Sequence, residues 1–183
     1  MNQEGKGYTK ENHYDLEGEY GIGHTYKGEK FLFDIEDYAK IKEYRWCFNR
    51  KGYLVAFGRN EGRRRIVKFH QMVMGEAPKG KQIDHIRSTE ECPNRKADNR
   101  KSNLRFVTPA QNSWNRGLRA DNKSGHTGVR WDKERQKWIA RVRKGKMDVR
   151  KRFPYDQFNE ACRWQEKTAK EMRGEYAYAY NCI

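Results

Sequence analysis

The amino-acid sequence predicts an α+β protein built from small antiparallel sheets with few helices. Three observations lead there. Apolar and polar residues alternate over many short runs, "KWIARVR" at 137–143 among them, which is the period of half-buried strands. Helical spacing is confined to short stretches near 34–44 and from 109, and to one longer stretch over 156–173. The chain has 183 residues, 35% hydrophobic, 36% charged and 13% aromatic, which suits one ordinary domain or two or three modules with modest cores, on the polar side of globular sequences.

Residues 1–15 are polar, carry Gly5 and Gly7, and read as a loosely ordered tail. "KFLFDI" reads as a strand, and "DIEDYAKIKEY" as a short helix capped by Asp34, with Tyr38, Ile41 and Tyr44 on one face. "RWCFN" and "GYLVAF" form a hairpin turning at Asn49-Arg50-Lys51-Gly52, and "RRRIVKF" is a further strand. Residues 16–68 are therefore a β-rich module with one sheet and one helix. "HQMVMG" is an apolar turn closed by Gly75. Next come the strand "QIDHI", a polar loop over 87–102, the strand "LRFVT", and a helix with Thr108 as N-cap and Pro109 at its first position. "RADNKSG", 119–125, has no large apolar residue and reads as a linker. The strands "GVRWD", "KWIARVR" and "DVRKRF" follow, and then a helix whose Phe158, Ala161, Cys162, Gln165, Ala169 and Met172 form a stripe that would cover the sheet.

The formal net charge of +15 is unevenly spread: −4 over 1–44, +20 over 45–155 and −1 over 156–183. A polyanion is the natural partner of such a middle, because neutralised phosphates release counterions. No apolar run approaches the roughly 20 residues that span a bilayer, and no signal peptide opens the chain, so a cytoplasmic protein is expected. Cys47, Cys92, Cys162 and Cys182 lie far apart with no C-x-x-C pair, which argues against a structural zinc site and a disulfide framework.

One short run carries chemistry. In "QIDHIRS", Asp84 and His85 are adjacent on a strand and so point to opposite faces. They can hardly both hold one ion. A division of labour fits metal-assisted phosphodiester hydrolysis: Asp84 as a hard oxygen ligand, His85 as the base acting on water. Magnesium accepts few protein ligands, so a sparse site suits it.

"IDHI", "DNRKSNLRFVT" and "QNSWN", over residues 66 to 118, resemble the HNH endonucleases of the phage and intron homing type. The resemblance implies a ββα-metal (His-Me) finger over 69–118. It makes His85 the general base, Asp84 a metal ligand, Asn103 the central Asn that pins the loop and orients the strand, and Asn112 the second ligand to one Mg²⁺ or Mn²⁺. The last histidine of the motif is Asn112 here, and the 18 residues from His85 to Asn103 include the insert "STEECPNRKA", an extension in a loop where length costs little. Asp98 and Asn99 read as turn formers. Arg105 and His70 are placed with the DNA contacts; His70 contacts phosphate or caps its helix. His13, His24 and His126 are expected on the surface.

"SGHTGVRW", "KWIARVRKGK" and "FNEACRW", over roughly residues 124 to 178, resemble the Apetala-type (ethylene-response) DNA-binding domain of plants, which is expected over 126–183. That resemblance implies DNA contacts by Arg130, Arg141 and Arg143. The chain departs from it at "VRKRFPY", which leaves Arg150, Lys151 and Arg152 without a carried-over role. Trp131 and Trp138 divide between core packing and sugar contact. The expectation is a site-preferring DNA endonuclease acting on double-stranded DNA as a monomer or homodimer. Its rivals are a non-catalytic DNA-binding protein with a relic nuclease domain and, more weakly, an RNA-binding protein.

Overall fold

The structure, a computed structural model, describes residues 11–60, 63–87 and 92–178. The chain divides into two compact units, Met1–Thr108 and Pro109–Ile183.

The first unit holds two three-stranded antiparallel sheets where the sequence led us to expect one. Strands β1 (His13–Asp15), β2 (Gly21–His24) and β3 (Lys30–Phe33) form the first, in that order. β1 falls within the expected tail, of which residues 1–10 lie outside the described residues. β2 reads poorly in sequence because two of its four residues are glycines. They are small for a reason: a Cβ on Gly21 would lie 2.3 Å from the Phe33 ring, and one on Gly23 would lie 2.1 Å from the Phe31 ring. The missing side chains let both rings lie across β2. After β3 a 3-10 turn (Ile35–Asp37) runs into α1 (Tyr38–Ile41). Asp34 makes no side-chain cap there; its carboxylate accepts instead from the Lys101 backbone N–H at 2.8 Å. The expected capping role is corrected accordingly, and the aspartate ties down the segment that carries Asn103.

The second sheet joins β4 (Cys47–Phe48), β5 (Leu54–Asn60) and β6 (Arg63–Lys68). Its first turn is closed by Asn49, whose carbonyl accepts from Gly52 N–H at 2.9 Å, with Gly52 at φ +76°. Helix α2 (Phe69–Met74) leads to β7 (Gln82–His85), which pairs antiparallel with β8 (Leu104–Val107). Phe31, Leu32, Phe33, Ile41, Trp46, Leu54, Phe69 and Leu104 form the core, with Tyr38 and Tyr44 packed against it. Each such side chain contributes about 1.5–3 kcal/mol on burial.

The loop between β7 and β8 is not the solvated polar excursion that its composition suggests. Cys92, Ala97, Asp98, Asn99 and Asn103 are buried, two 3-10 turns (Arg95–Ala97 and Lys101–Asn103) shape it, and Asp98 bridges to Leu32 of β3. Residues 88–91, part of the insert, lie outside the described residues.

In the second unit α3 (Pro109–Trp114) precedes a sheet of order β11-β10-β9, formed by β9 (Val129–Asp132), β10 (Lys137–Lys144) and β11 (Met147–Phe153). Helix α4 (Phe158–Arg173) covers one face as its stripe requires: Ala161, Gln165 and Ala169 are buried, and Ala161 joins Val129, Ala140 and Phe153 in a second core. Gly128, at φ +75°, allows this close approach, since a Cβ there would sit 2.8 Å from the Arg141 carbonyl oxygen and 2.9 Å from Gln165 Nε2. Trp138 packs on Phe158 and meets Trp131 edge-on, so it belongs to packing. His126, expected on the surface, is buried instead. Its ring bonds the Thr127 carbonyl and Glu166, both at 2.9 Å. The expected linker is shaped by Asn122, whose carboxamide oxygen accepts from the Ser124 and Gly125 N–H groups.

Candidate active site and nucleic-acid interface

Strand alternation does at β7 what the sequence demands. Asp84 and His85 are 4% and 3% exposed and point to opposite faces. On one face Asp84 stands in register with Arg105 of β8, whose Nε and Nη2 lie 3.4 and 3.3 Å from its carboxylate. Arg105, expected among the DNA contacts, is thus turned to Asp84. On the other face the His85 ring meets the His70 ring edge-on at 5.2 Å between centroids, with Tyr53 6.1 Å away.

His85 Nε2 lies 3.2 Å from Asn99 Oδ1. Which atom donates follows from the rest of the carboxamide. Asn99 Nδ2 already donates to the Ala97 and Lys96 carbonyl oxygens, at 3.2 and 3.4 Å, so the amide oxygen is the atom facing the ring. An amide oxygen only accepts, so Nε2 carries the proton and the basic nitrogen of the neutral ring is Nδ1. Asn99, read from the sequence as a turn former, is fully buried and fixes the tautomer of His85.

Asn103 is buried at the end of the loop and bonds three backbone groups. Its Oδ1 accepts from Arg87 N–H at 3.1 Å, its carbonyl accepts from Ile86 N–H at 2.9 Å, and its Nδ2 donates to the Asp98 carbonyl at 3.1 Å. Both ends of the β7–β8 loop are thereby joined just past His85. Asp98 in turn pairs with Arg100 at 2.7 Å.

His70 neither caps α2, whose N-cap is Lys68, nor stands in solvent: it is 5% exposed and its Nδ1 has no hydrogen-bond partner among the described residues. Burial, with His85, Lys68 and Lys96 nearby, pushes its pKa down to about 3, so the ring packed on His85 is neutral. Lys96 lies 4.1 Å over the Tyr53 ring beside it. Asn112 stands on α3, in the second unit.

A metal at this place has a meagre protein donor set. Among the described residues no group of three or more His, Cys, Asp or Glu side chains could hold an ion. Asp84 is the hard carboxylate there, buried and paired with Arg105, and a cation that takes few protein ligands is the kind such a set could hold.

The second unit presents a basic sheet face. By register, Arg130 pairs with Ile139, Arg141 with Arg150 and Ile139 with Arg152, so these arginines share the face opposite α4, together with Arg143 and Asp148. Asp148 gathers them: it accepts from Arg141 Nε at 2.8 Å and Nη2 at 2.5 Å, with Arg143 at 3.5 Å and Arg150 at 4.0 Å. The Arg141 guanidinium holds the Asp148 carboxyl below the usual carboxylate range. The pair fixes the plane of the Arg141 fork.

No family model matches the chain. Protein 3.8 of Escherichia phage T7 is 32% identical over 115 residues, a match spanning 62% of this chain and 88% of the phage protein. The chain belongs to the family of T7 protein 3.8. An HNH endonuclease of Acanthamoeba polyphaga mimivirus, L560, is 26% identical over 151 residues, spanning 82% of this chain and 74% of that one. This relative supports the HNH resemblance of the T7 3.8-family chain. A solved structure, that of the HNH homing endonuclease I-HmuI, aligns over 92% of this chain and 88% of its own at 16% identity, with a TM-score of 0.35. No helix among the described residues is long and apolar enough to cross a membrane.

Two features of the site escaped the sequence. Asn99 sits in a run, "KADNRKSN", whose polarity imitates a solvated loop. The Asp84–Arg105 pair follows from hairpin register, which composition leaves open but the pairing of Ile83 with Phe106 fixes.

Proposed function

We propose that this protein is a metal-dependent DNA endonuclease of the HNH type, with Asp84, His85 and Asn103 in a ββα-metal arrangement. The observation that carries the reading is a buried aspartate and a buried histidine side by side on one strand, facing opposite ways, with the histidine's tautomer fixed by Asn99. His85 takes a proton from water at Nδ1 as the water oxygen bonds to phosphorus and the phosphorus bond to the leaving oxygen breaks. Asn99 keeps the proton on Nε2 and the ring in one orientation, and neutral His70 limits its movement. Asn103 holds the strand. Asp84 would hold one Mg²⁺ or Mn²⁺, and the ordered sequence string names Asn112 as a second oxygen ligand. The ion, when bound, supplies positive charge at the scissile phosphate and leaving oxygen. Arg105 balances the buried Asp84 carboxylate.

Arg130, Arg141 and Arg143 contact duplex DNA from the sheet face of the second unit, as the Apetala-type resemblance implies, and the basic β5–β6 region contributes from the first. The reading is tested by incubating the full chain with supercoiled plasmid. Relaxed or linear product in Mg²⁺ and none in EDTA is expected. Binding without nicking in either Mg²⁺ or Mn²⁺ contradicts it and favours a DNA-binding protein with a relic site.

A further inference from the structure

Strands β5 and β6 outrun the sheet they belong to. β4 pairs only with Leu54 and Val55, so from Ala56 to Asn60 and from Arg63 to Val67 they continue as a two-stranded ribbon. One side of that ribbon is rooted: Ala56 is buried, and Val67 packs against the core. The other side carries a directly paired Phe57 and Ile66, 66% and 59% exposed. Two large apolar side chains facing each other in water are unusual on a protein surface, and they mark a binding face. Their surroundings select the partner. Residues 59–68 include Arg59, Arg63, Arg64, Arg65 and Lys68 against the single acid Glu61, with Arg63, Arg65 and Lys68 exposed. By register Lys68 shares the side of Phe57 and Ile66 while Arg63 and Arg65 stand on the other side, so the apolar pair sits on a ribbon whose exposed charge is positive, which matches a surface that is anionic at its rims and apolar at discrete points on its floor.

We propose that the β5–β6 ribbon enters the major groove of duplex DNA, where Phe57 and Ile66 contact the C5-methyl groups of thymine. A two-stranded ribbon fits that groove, and the thymine methyl is the apolar group its floor presents. The exposed basic residues of the ribbon meet the flanking phosphates and set its depth. The proposal rests on the DNA-endonuclease reading and adds a sequence preference to it: sites rich in thymine under the ribbon.

Removing only the methyl groups tests this. Random-sequence duplex pools amplified with either thymidine or deoxyuridine triphosphate differ at C5 of the pyrimidine alone. Equilibrium binding of the full chain is measured on both pools in EDTA. The wild type is expected to prefer the thymine pool by about fourfold per methyl touched. The double variant Phe57→Ala, Ile66→Ala, with its unfolding midpoint checked, is expected to bind both pools equally, at about the wild-type affinity for the uracil pool. Equal binding of both pools by the wild type overturns the proposal without requiring any variant. So does a thymine preference that survives in the double variant, or a wild-type dimer that the double variant dissolves, which would assign the pair to a second copy of the chain. If the pools bind equally while plasmid is still nicked in Mg²⁺, the ribbon proposal alone falls. If neither pool binds, the endonuclease reading falls with it.

Discussion

At the scale of single residues the proposed site depends on two side chains that the proposed chemistry does not touch. Asn99 spends both its N–H groups on backbone carbonyls, and this commits its oxygen to His85. Asn99→Ala should leave DNA affinity in EDTA unchanged while lowering the nicking rate about ten- to a hundredfold, the usual range for a residue that orients a reacting group. Steady-state nicking together with binding separates the two effects. His70 acts on stability instead. Its folded pKa of about 3 lies below the ordinary 6.5 because burial disfavours the charged ring. Between those values the unfolded chain binds a proton that the folded chain does not. Stability therefore rises with pH across that window and is fully present only above about 6.5. Denaturant unfolding between pH 7 and pH 4 should show this slope, and it should flatten in His70→Gln.

At the scale of elements, the second unit's sheet separates an apolar face from a basic one by alternation. The face carrying Val129, Ala140 and Phe153 is closed by α4, while Arg130, Arg141 and Arg143 lie on the opposite face, where the proposed reading places duplex DNA. Replacing these three arginines by alanine should weaken binding to random duplex and reduce the slope of log affinity against log salt by roughly 2 to 3, near 0.9 for each phosphate no longer neutralised. Elements of this kind were legible in the sequence because their alternation is strict: β9, β10, β11 and α4 lie where the periodicity puts them. β2 was not. Its glycines, which exist to admit Phe31 and Phe33, erase the pattern that marks a strand. The β7–β8 loop failed for the opposite reason, since its polar residues are buried and satisfied by backbone groups rather than by water. Composition cannot distinguish a hydrogen-bonded interior asparagine from a solvated one.

At the scale of the whole molecule, charge and chemistry are arranged along the chain in a way the sequence displays. The +20 segment over 45–155 contains the ribbon, the Asp84–His85 strand and all three strands of the arginine-bearing sheet. Asp84, His85 and Asn103 were legible as an ordered string, and the structure gives each a distinct environment. What the string did not contain was the support: Asn99, His70 and Arg105 act through tertiary contacts between segments 14 to 21 residues apart. In the proposed reading His85 is the base. Plasmid nicking in Mg²⁺ by His85→Ala, compared with wild type at equal DNA occupancy, tests it most directly. A loss of about a hundredfold or more with binding retained is expected; nicking by His85→Ala at the wild-type rate would assign water activation to another group.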